Sequence, residues 1–412
     1  MKSIQIYAFY VNGLLCLAKI MDRRWDIKNN PLLLISLSQI SISIGRNLVN
    51  PLFPIYASSF NISYTIMGLV LSSFGISRLF VEIPGGVLTD RIGRKPIIVF
   101  GYLFVIASHL IAGFAQTPLV LAISRMLMGA GSALSLTAAT VYVTEIATRD
   151  NKTRDLALFQ STLSIAGIVG PTLGGLISDS LGIRNIFFIS AAASFIGVIL
   201  ATMLRRREAI PRSEKLSSSV FSIREIITER RMLILSASCF MMFFLFSSIR
   251  GTMIPVYGAE ELKLSSFGIG VVFSVTSATT VVGLLLLTHR LEDRLGRSKL
   301  LSFGFLICSI SVILISFASD LITLSIFVIP LGLGFSILQP TVFGMISDSA
   351  EPENRGLTMG ISRTVAALGI VIGPTMVGGL IDLGQPLLIF YIVSGLLCLF
   401  SIITYVIFKK LK

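Results

Sequence analysis

The sequence predicts an all-α integral membrane protein, with twelve transmembrane helices in two pseudo-symmetric bundles of six. Three observations carry that expectation. Of the 412 residues, 54% are hydrophobic and 13% charged, more apolar surface than a water-soluble core of this length hides. The apolar residues gather into runs of roughly 20 residues or more, the length that crosses bilayer hydrocarbon. The second half of the chain also repeats the first, at a spacing near 203 positions.

Residues 1–31 form an N-terminal segment expected on the cytoplasmic side. Positions 3 to 21 are apolar but carry Gln5, Asn12 and Lys19, and end in Asp22-Arg23-Arg24. Three readings stay open: a signal peptide, although no small-x-small cleavage site precedes the charges; an interfacial helix; or a start of translation at Met21. The first bundle, 32–204, holds apolar runs near 32–57, 64–88, 96–115, 118–143, 156–179 and 184–204. A cytoplasmic linker at 205–231 opens on Arg205-Arg206-Arg207 and contains Ser217-Ser218-Ser219, with a candidate short amphipathic helix around Ile223 to Ile227. The second bundle, 232–408, holds runs near 232–256, 265–288, 298–317, 319–346, 357–381 and 385–408. Residues 409–412 form a cytoplasmic tail.

Charge predicts the orientation. With the N-terminus inside, the inner loops hold 27 of the 34 lysines and arginines, and the outer loops only Arg184 and Lys263. The other five, Arg46, Arg78, Arg125, Arg250 and Arg363, fall inside spans. Loop cations concentrate on the cytoplasmic side, so both termini are expected there, with the plasma membrane as the location. The formal charge of +13 is thereby assigned to topology, and no nucleic-acid partner is expected. The four cysteines lack metal-type spacing and give no disulfide framework. His109 and His289 are isolated in sequence, and neither metal nor cofactor is expected.

Between the second and third runs lies Gly86-Val87-Leu88-Thr89-Asp90-Arg91-Ile92-Gly93-Arg94-Lys95. Its small residues suit close approach and its charges suit the water boundary. A partial copy follows at Asp293-Arg294-Leu295-Gly296-Arg297, with His289 where the first copy has Gly86. Other pairs recur in order: Gly129 and Gly131 with Gly332 and Gly334, Glu145 with Asp348, Gly170-Pro171-Thr172 with Gly373-Pro374-Thr375, and Asp179 with Asp382. Gly174-Gly175 matches Gly378-Gly379 after a one-residue insertion, and Arg46 and Pro51 match Arg250 and Pro255. Two parallel six-helix repeats imply an axis along the membrane normal and a central cavity.

These motifs resemble the major facilitator superfamily over about residues 30 to 410. The Gly86–Lys95 stretch resembles its signature between helices 2 and 3, and Arg125 with Gly129 and Gly131 resembles its helix 4 motif. Gly167 to Gly175 resembles the helix 5 motif of proton-coupled drug antiporters. The resemblance implies the major facilitator fold and a monomer working by alternating access, with no enzymatic activity. It also implies an inner latch: Asp90 at a helix N-terminus of the opposite half, and Arg94 in a charge cluster with Glu145. Gly86, Arg91, Gly93, Lys95, Asp293, Arg294, Gly296 and Arg297 complete that latch. A tight interfacial turn held by its charges is the simpler alternative. Gly170, Pro171, Gly174, Gly175, Gly373, Pro374, Gly378 and Gly379 are expected to serve helix packing or gating on the outer side.

Charges inside spans are the candidates for substrate and proton handling, since a mid-bilayer charge costs at least ~2.5–3.5 kcal/mol on insertion scales. Glu82 lies one turn after Arg78, so the two can pair along one face; alternatively Glu82 is a protonatable carboxylate. In the resembling antiporters the arginine at the place of Arg125 is implicated in proton coupling. Arg363 is close enough to the inner loop to snorkel. Helix 1 carries Gln39, Arg46, Asn47 and Asn50 where cation exporters usually place a carboxylate. Arg46 and Arg250 together resemble the arginine pair of organophosphate/phosphate antiporters, and guanidinium suits anions; backbone carbonyls are the other partners open to them. No phosphate-binding loop of an ATP-driven pump occurs. The leading expectation is proton-coupled efflux of small organic or drug-like solutes. The alternatives are transport of an organic or phosphorylated anion held by Arg46 and Arg250, and a lipid-moving or non-transporting sensor of the same fold.

Overall fold

The computed structural model describes residues 30–148, 151–205, 229–349 and 355–410, and every regular element among them is helical. The expectations for residues 1–29 and for the centre of the linker, 206–228, lie outside the described residues. Twelve helices are long and apolar enough to cross a membrane. They are α1 (Pro31–Val49), α2 (Tyr64–Ile92), α3 (Arg94–Gly113), α4 (Pro118–Ile146), α5 (Lys152–Leu181) and α6 (Ile183–Thr202). α7 runs through Arg230–Leu245, a π-helical Phe246–Met253 and Ile254–Glu260; α8 runs through Ser266–Gly283, a π-helical Leu284–Thr288 and His289–Leu295. Then come α9 (Arg297–Ile315), α10 (Leu321–Phe327 continued by Ile329–Ser349), α11 (Arg355–Asp382) and α12 (Leu388–Lys410).

Local chemistry starts and stops these helices. The Asn30 side chain accepts from the Leu33 N–H at 3.1 Å, with Pro31 in the first turn, and Thr117 caps α4 ahead of Pro118 in the same way. Both combine a side-chain acceptor for an orphan N–H with a proline preset for the helical φ. The α2–α3 and α8–α9 turns pivot on Gly93 (φ 100°) and Gly296 (φ 74°), and the α5–α6 and α11–α12 turns on Gly182 (φ 89°) and Gly384 (φ 74°). These left-handed conformations cost a side-chain-bearing residue energy that glycine avoids. The signature turn therefore needs glycine at 93 for its backbone. Close approach at Gly86 is not what is found: a Cβ there meets nothing within 4 Å, because Gly86 lies on an open face of α2.

Contacts divide the chain into two units interleaved in sequence. One comprises Met1–Tyr56, Phe80–Pro211 and Ser265–Ser274; within it α1 packs on α5 and α6, and α3 on α4 and α6. The other comprises Ala57–Leu79, Arg212–Leu264 and Val275–Lys412; within it α7 packs on α11, and α9 on α10 and α12. The α1–α5, α3–α4 and α3–α6 pairings recur as α7–α11, α9–α10 and α9–α12, whereas the α1–α6 packing has only a slight counterpart between α7 and α12. Tyr102, Tyr142, Phe159 and Phe187 are fully buried in the first unit, and Phe305 and Phe390 in the second. Phe100, Ile196, Leu399 and Ile402 are each over half exposed, which suits a surface facing hydrocarbon rather than water.

Candidate functional site

In the first unit, three polar stripes converge. Gln39, Ser43, Arg46 and Asn50 recur at three- and four-residue steps and share one side of α1. Tyr102 and His109, two turns apart, face them from α3, and Arg125 and Ser132, again two turns apart, from α4. The Tyr102 hydroxyl donates to Gln39 Oε1 at 3.0 Å, and Gln39 Nε2 to Ser43 Oγ at 3.2 Å. Arg46 Nη1 donates to Ser132 Oγ at 3.3 Å, and Arg125 Nη1 to Asn50 Oδ1 at 3.4 Å. Arg125, only 7% exposed, lays its guanidinium 3.4 Å from the Phe53 ring centroid, where the ring quadrupole attracts a cation. The acceptors at Ser132 and Asn50 are neutral oxygens, and these bonds orient the guanidinium groups.

His109, isolated in sequence, belongs to this cluster. It is 1% exposed, its Nε2 has no hydrogen-bond partner among the described residues, and it lies within electrostatic range of Arg125 and Arg46. Only the stacking of α3 against α4 brings it there. The one sequence signal was a titratable residue in an otherwise apolar run.

In the second unit, Arg250 sits in the π-helical stretch of α7, a distortion often found at functional sites. Its Nη2 donates to Ser277 Oγ on α8 at 2.9 Å, and its guanidinium carbon is 5.1 Å from the Phe246 ring. Arg46 and Arg250 are therefore sequence equivalents with non-equivalent partners, because Phe335 stands 203 positions after Ser132, and Gly75 stands 202 before Ser277, the spacing at which Gly68 and Gly270 make matching contacts. Arg78 lies 5.9 Å from the Phe74 ring. Glu82, one turn on, is half-buried, and Arg363 is exposed.

At the signature turn, Arg94 reaches Glu145. Its Nη2 is 2.8 Å and its Nε 3.0 Å from Glu145 Oε1, while Nη1 donates to the Thr89 carbonyl at 2.8 Å. The second copy repeats the theme in the open: Arg297 pairs with Asp348 and, through Nε at 2.6 Å, with Glu292. Arg91, Asp293 and Arg294 are exposed and Lys95 half-buried. The placement expected for Asp90 concerns a side chain outside the described ones.

The small residues of α5 and α11 make backbone-to-backbone contacts. A Cβ on Gly170 would press on Asn47 Cβ at 2.6 Å, and one on Gly174 would collide with the Leu48 carbonyl. A Cβ on Gly175 would collide with the Ser266 carbonyl, one on Gly373 with the Ser247 hydroxyl, and one on Gly378 with the Tyr64 carbonyl. A Cβ on Gly379 meets nothing within 4 Å. This corrects the insertion read from sequence, since by contact Gly175 corresponds to Gly378 at the unbroken offset. Pro171 and Pro374 lie inside continuous helices and present carbonyls against Gly270 and Gly68.

Comparison with known proteins matches residues 35–289 and 244–412 to the family described as Major Facilitator Superfamily. Multidrug resistance protein 2 of Bacillus subtilis (strain 168) is 27% identical over 357 residues, covering 85% of this chain and 88% of that one. Quinolone resistance protein NorA of Staphylococcus aureus (strain COL) is 21% identical over 345 residues, covering 83% and 87%. Among solved structures, a POT family transporter in complex with 5-aminolevulinic acid has a TM-score of 0.77 at 14% identity, covering 92% and 96%. The human organic anion transporter MFSD10 (TETRAN) has a TM-score of 0.67 at 16% identity, covering 92% and 99%. At such identities the structural matches speak to the fold alone.

Proposed function

The chain belongs to the major facilitator superfamily and is a multi-pass membrane transporter of a small molecule, and from that premise we propose that it exports small organic or drug-like solutes in exchange for protons. The observation that carries this reading is the match to multidrug resistance protein 2 along 85% of this chain and 88% of that one. In this reading the bundles are 32–204 and 232–408, both termini are cytoplasmic in the plasma membrane, and the monomer works alone. The signature turn then faces the cytoplasm, where Arg94 and Glu145 form part of the inner latch. Arg125 and Glu82 handle the proton, and aromatic and apolar groups line the cavity that takes the solute.

A second reading rests on a specific observation. Arg46 and Arg250 recur at matching places in α1 and α7 and donate to Ser132 and Ser277, and the fork of a guanidinium group suits an organic or phosphorylated anion. Purified protein screened by thermal shift against organic cations, lipophilic drugs and anions separates the readings, because only a bound ligand raises the melting temperature. Export of drugs predicts stabilisation by lipophilic cations or neutral drugs, retained when Arg46 and Arg250 are both changed to Gln. The anion reading predicts stabilisation by anions, lost in that double variant. Proteoliposome flux driven by a pH gradient tests coupling, and a Glu82→Gln protein that still couples removes Glu82 from the role.

A further inference from the structure

At the end opposite the signature turn, two helices begin against a carboxylate from the other half of the sequence. Asp179, at the end of α5, accepts the Ser266 and Phe267 N–H groups of α8, each at 3.0 Å. Asp382, at the end of α11, accepts the Tyr64 and Thr65 N–H groups of α2 at 2.9 and 2.8 Å, and the Thr65 hydroxyl at 2.5 Å. Each helix also carries its own cap. Ser265 Oγ accepts from the Gly268 N–H at 3.2 Å, and Ser63 Oγ from the Ile66 N–H at 3.3 Å. The arrangement is the same in both copies: the local serine serves the third residue of the turn, and the distant aspartate serves two earlier ones.

We propose that Asp179 and Asp382 form a paired clasp that holds this end of the transporter shut, each carboxylate releasing its helix once per transport cycle. Several features suit a clasp rather than a permanent tie. The first N–H groups of a helix lack intrahelical partners and carry the positive end of its dipole, so a carboxylate gains by binding them. Both carboxylates are exposed, so on release water takes their place, and Ser63 and Ser265 keep the two helix starts intact. Behind each cap the contact is of a kind that parts cleanly. Backbone meets backbone at Gly175 and Gly378. A few hydroxyls span each joint: Thr172 with Ser274 at 2.7 Å and Ser178 with Ser266 at 3.0 Å in one, and Ser72 with Thr375 at 2.9 Å and with the Val371 carbonyl at 2.5 Å in the other. Each aspartate accepts through both carboxylate oxygens, so asparagine, with one acceptor oxygen, should replace it in part and alanine not at all.

The clasp deepens the alternating-access reading and rests on it. The test is distance measurement between spin labels on a cysteine-free background, at Ser180 with Glu261 and at Ile66 with Gln385, in the full-length protein in lipid nanodiscs. Asp179→Ala and Asp382→Ala should each raise the population of the longer distance about fivefold, and the double variant about 25-fold. Asp179→Asn and Asp382→Asn should fall between the wild type and the alanine variants. Distances unchanged in both alanine variants would overturn the clasp, as would asparagine variants that open as far as alanine. If a double variant does not purify, the single variants decide the matter alone. The readout needs no substrate. Distances that respond while no solute is carried would sink the transport reading and leave the clasp standing, and flux with unresponsive distances would do the reverse.

Discussion

Arg94 and Arg297 occupy equivalent positions and differ in their surroundings. The Arg94 side chain is 7% exposed and its partner Glu145 19%, whereas Arg297 and Asp348 are 44% and 57% exposed. Burial raises the cost of orphaning a charge, so Arg94→Ala should destabilise the protein by about 3 kcal/mol. Arg297→Ala should cost about 0–1 kcal/mol, as exposed pairs do. Denaturant unfolding of the purified variants compares them, and equal losses would refute the difference. Arg125 offers a second case. With its guanidinium 3.4 Å from the Phe53 ring, an Arg125→Lys, Phe53→Leu double-mutant cycle should return a coupling of about 1–2 kcal/mol. A coupling near zero would show the ring to be mere packing.

At the scale of elements, the turns decide where glycine matters. Gly93 lies at φ 100°, so Gly93→Ala should cost about 1–2 kcal/mol through backbone strain alone. Gly86 is helical with open space beyond its Cα, so Gly86→Ala should be neutral or slightly stabilising through helix propensity. Thermal unfolding of the two variants side by side checks the order, and the reverse order would show that Gly86 meets a neighbour elsewhere in the cycle. The same reasoning separates Gly378 from Gly379. A Cβ at 378 collides with the Tyr64 carbonyl while one at 379 meets nothing, so Gly378→Ala should cost about 1–3 kcal/mol and slow flux, with Gly379→Ala close to wild type. Both glycines look equivalent in a one-dimensional pattern, because which face of α11 meets α2 is not written in the spacing.

For the whole molecule, the sequence halves and the contact units do not coincide. The first part of α2 groups with α7 and α9 to α12, and the opening of α8 groups with α1 and α3 to α6. Under the proposed clasp, each crossed segment is surrendered without unpacking the α1–α5 or α7–α11 seams. Transport should therefore respond to substitutions at Asp179 and Asp382 while melting temperature changes little. A large loss of stability in the Asn variants would mean that these contacts hold the fold itself together.

Twelve helices, most boundaries to within four residues and the duplicated plan were legible in the sequence, because bilayer thickness fixes run length and a repeat copies motifs at near-constant spacing. The run read as 32–57 instead ends its helix at Val49 and resumes as a short helix at Phe53–Ser58, and the run read as 265–288 continues to Leu295. The Arg94–Glu145 pair was legible for a different reason, since the resemblance to the family's signature implied it. His109 was not, because its neighbours come from α1 and α4, at positions far away in sequence. The capping role of Asp179 and Asp382 was equally hidden: the repeat marked them as a pair, but the N–H groups they accept lie 87 and 318 residues away. By itself the sequence determined span, number and symmetry, which follow from hydrophobic length and local conformation. Partnership across helices was decided only by tertiary packing, since the rotation of each helix about its axis sets which side chain a charge or an open N–H meets.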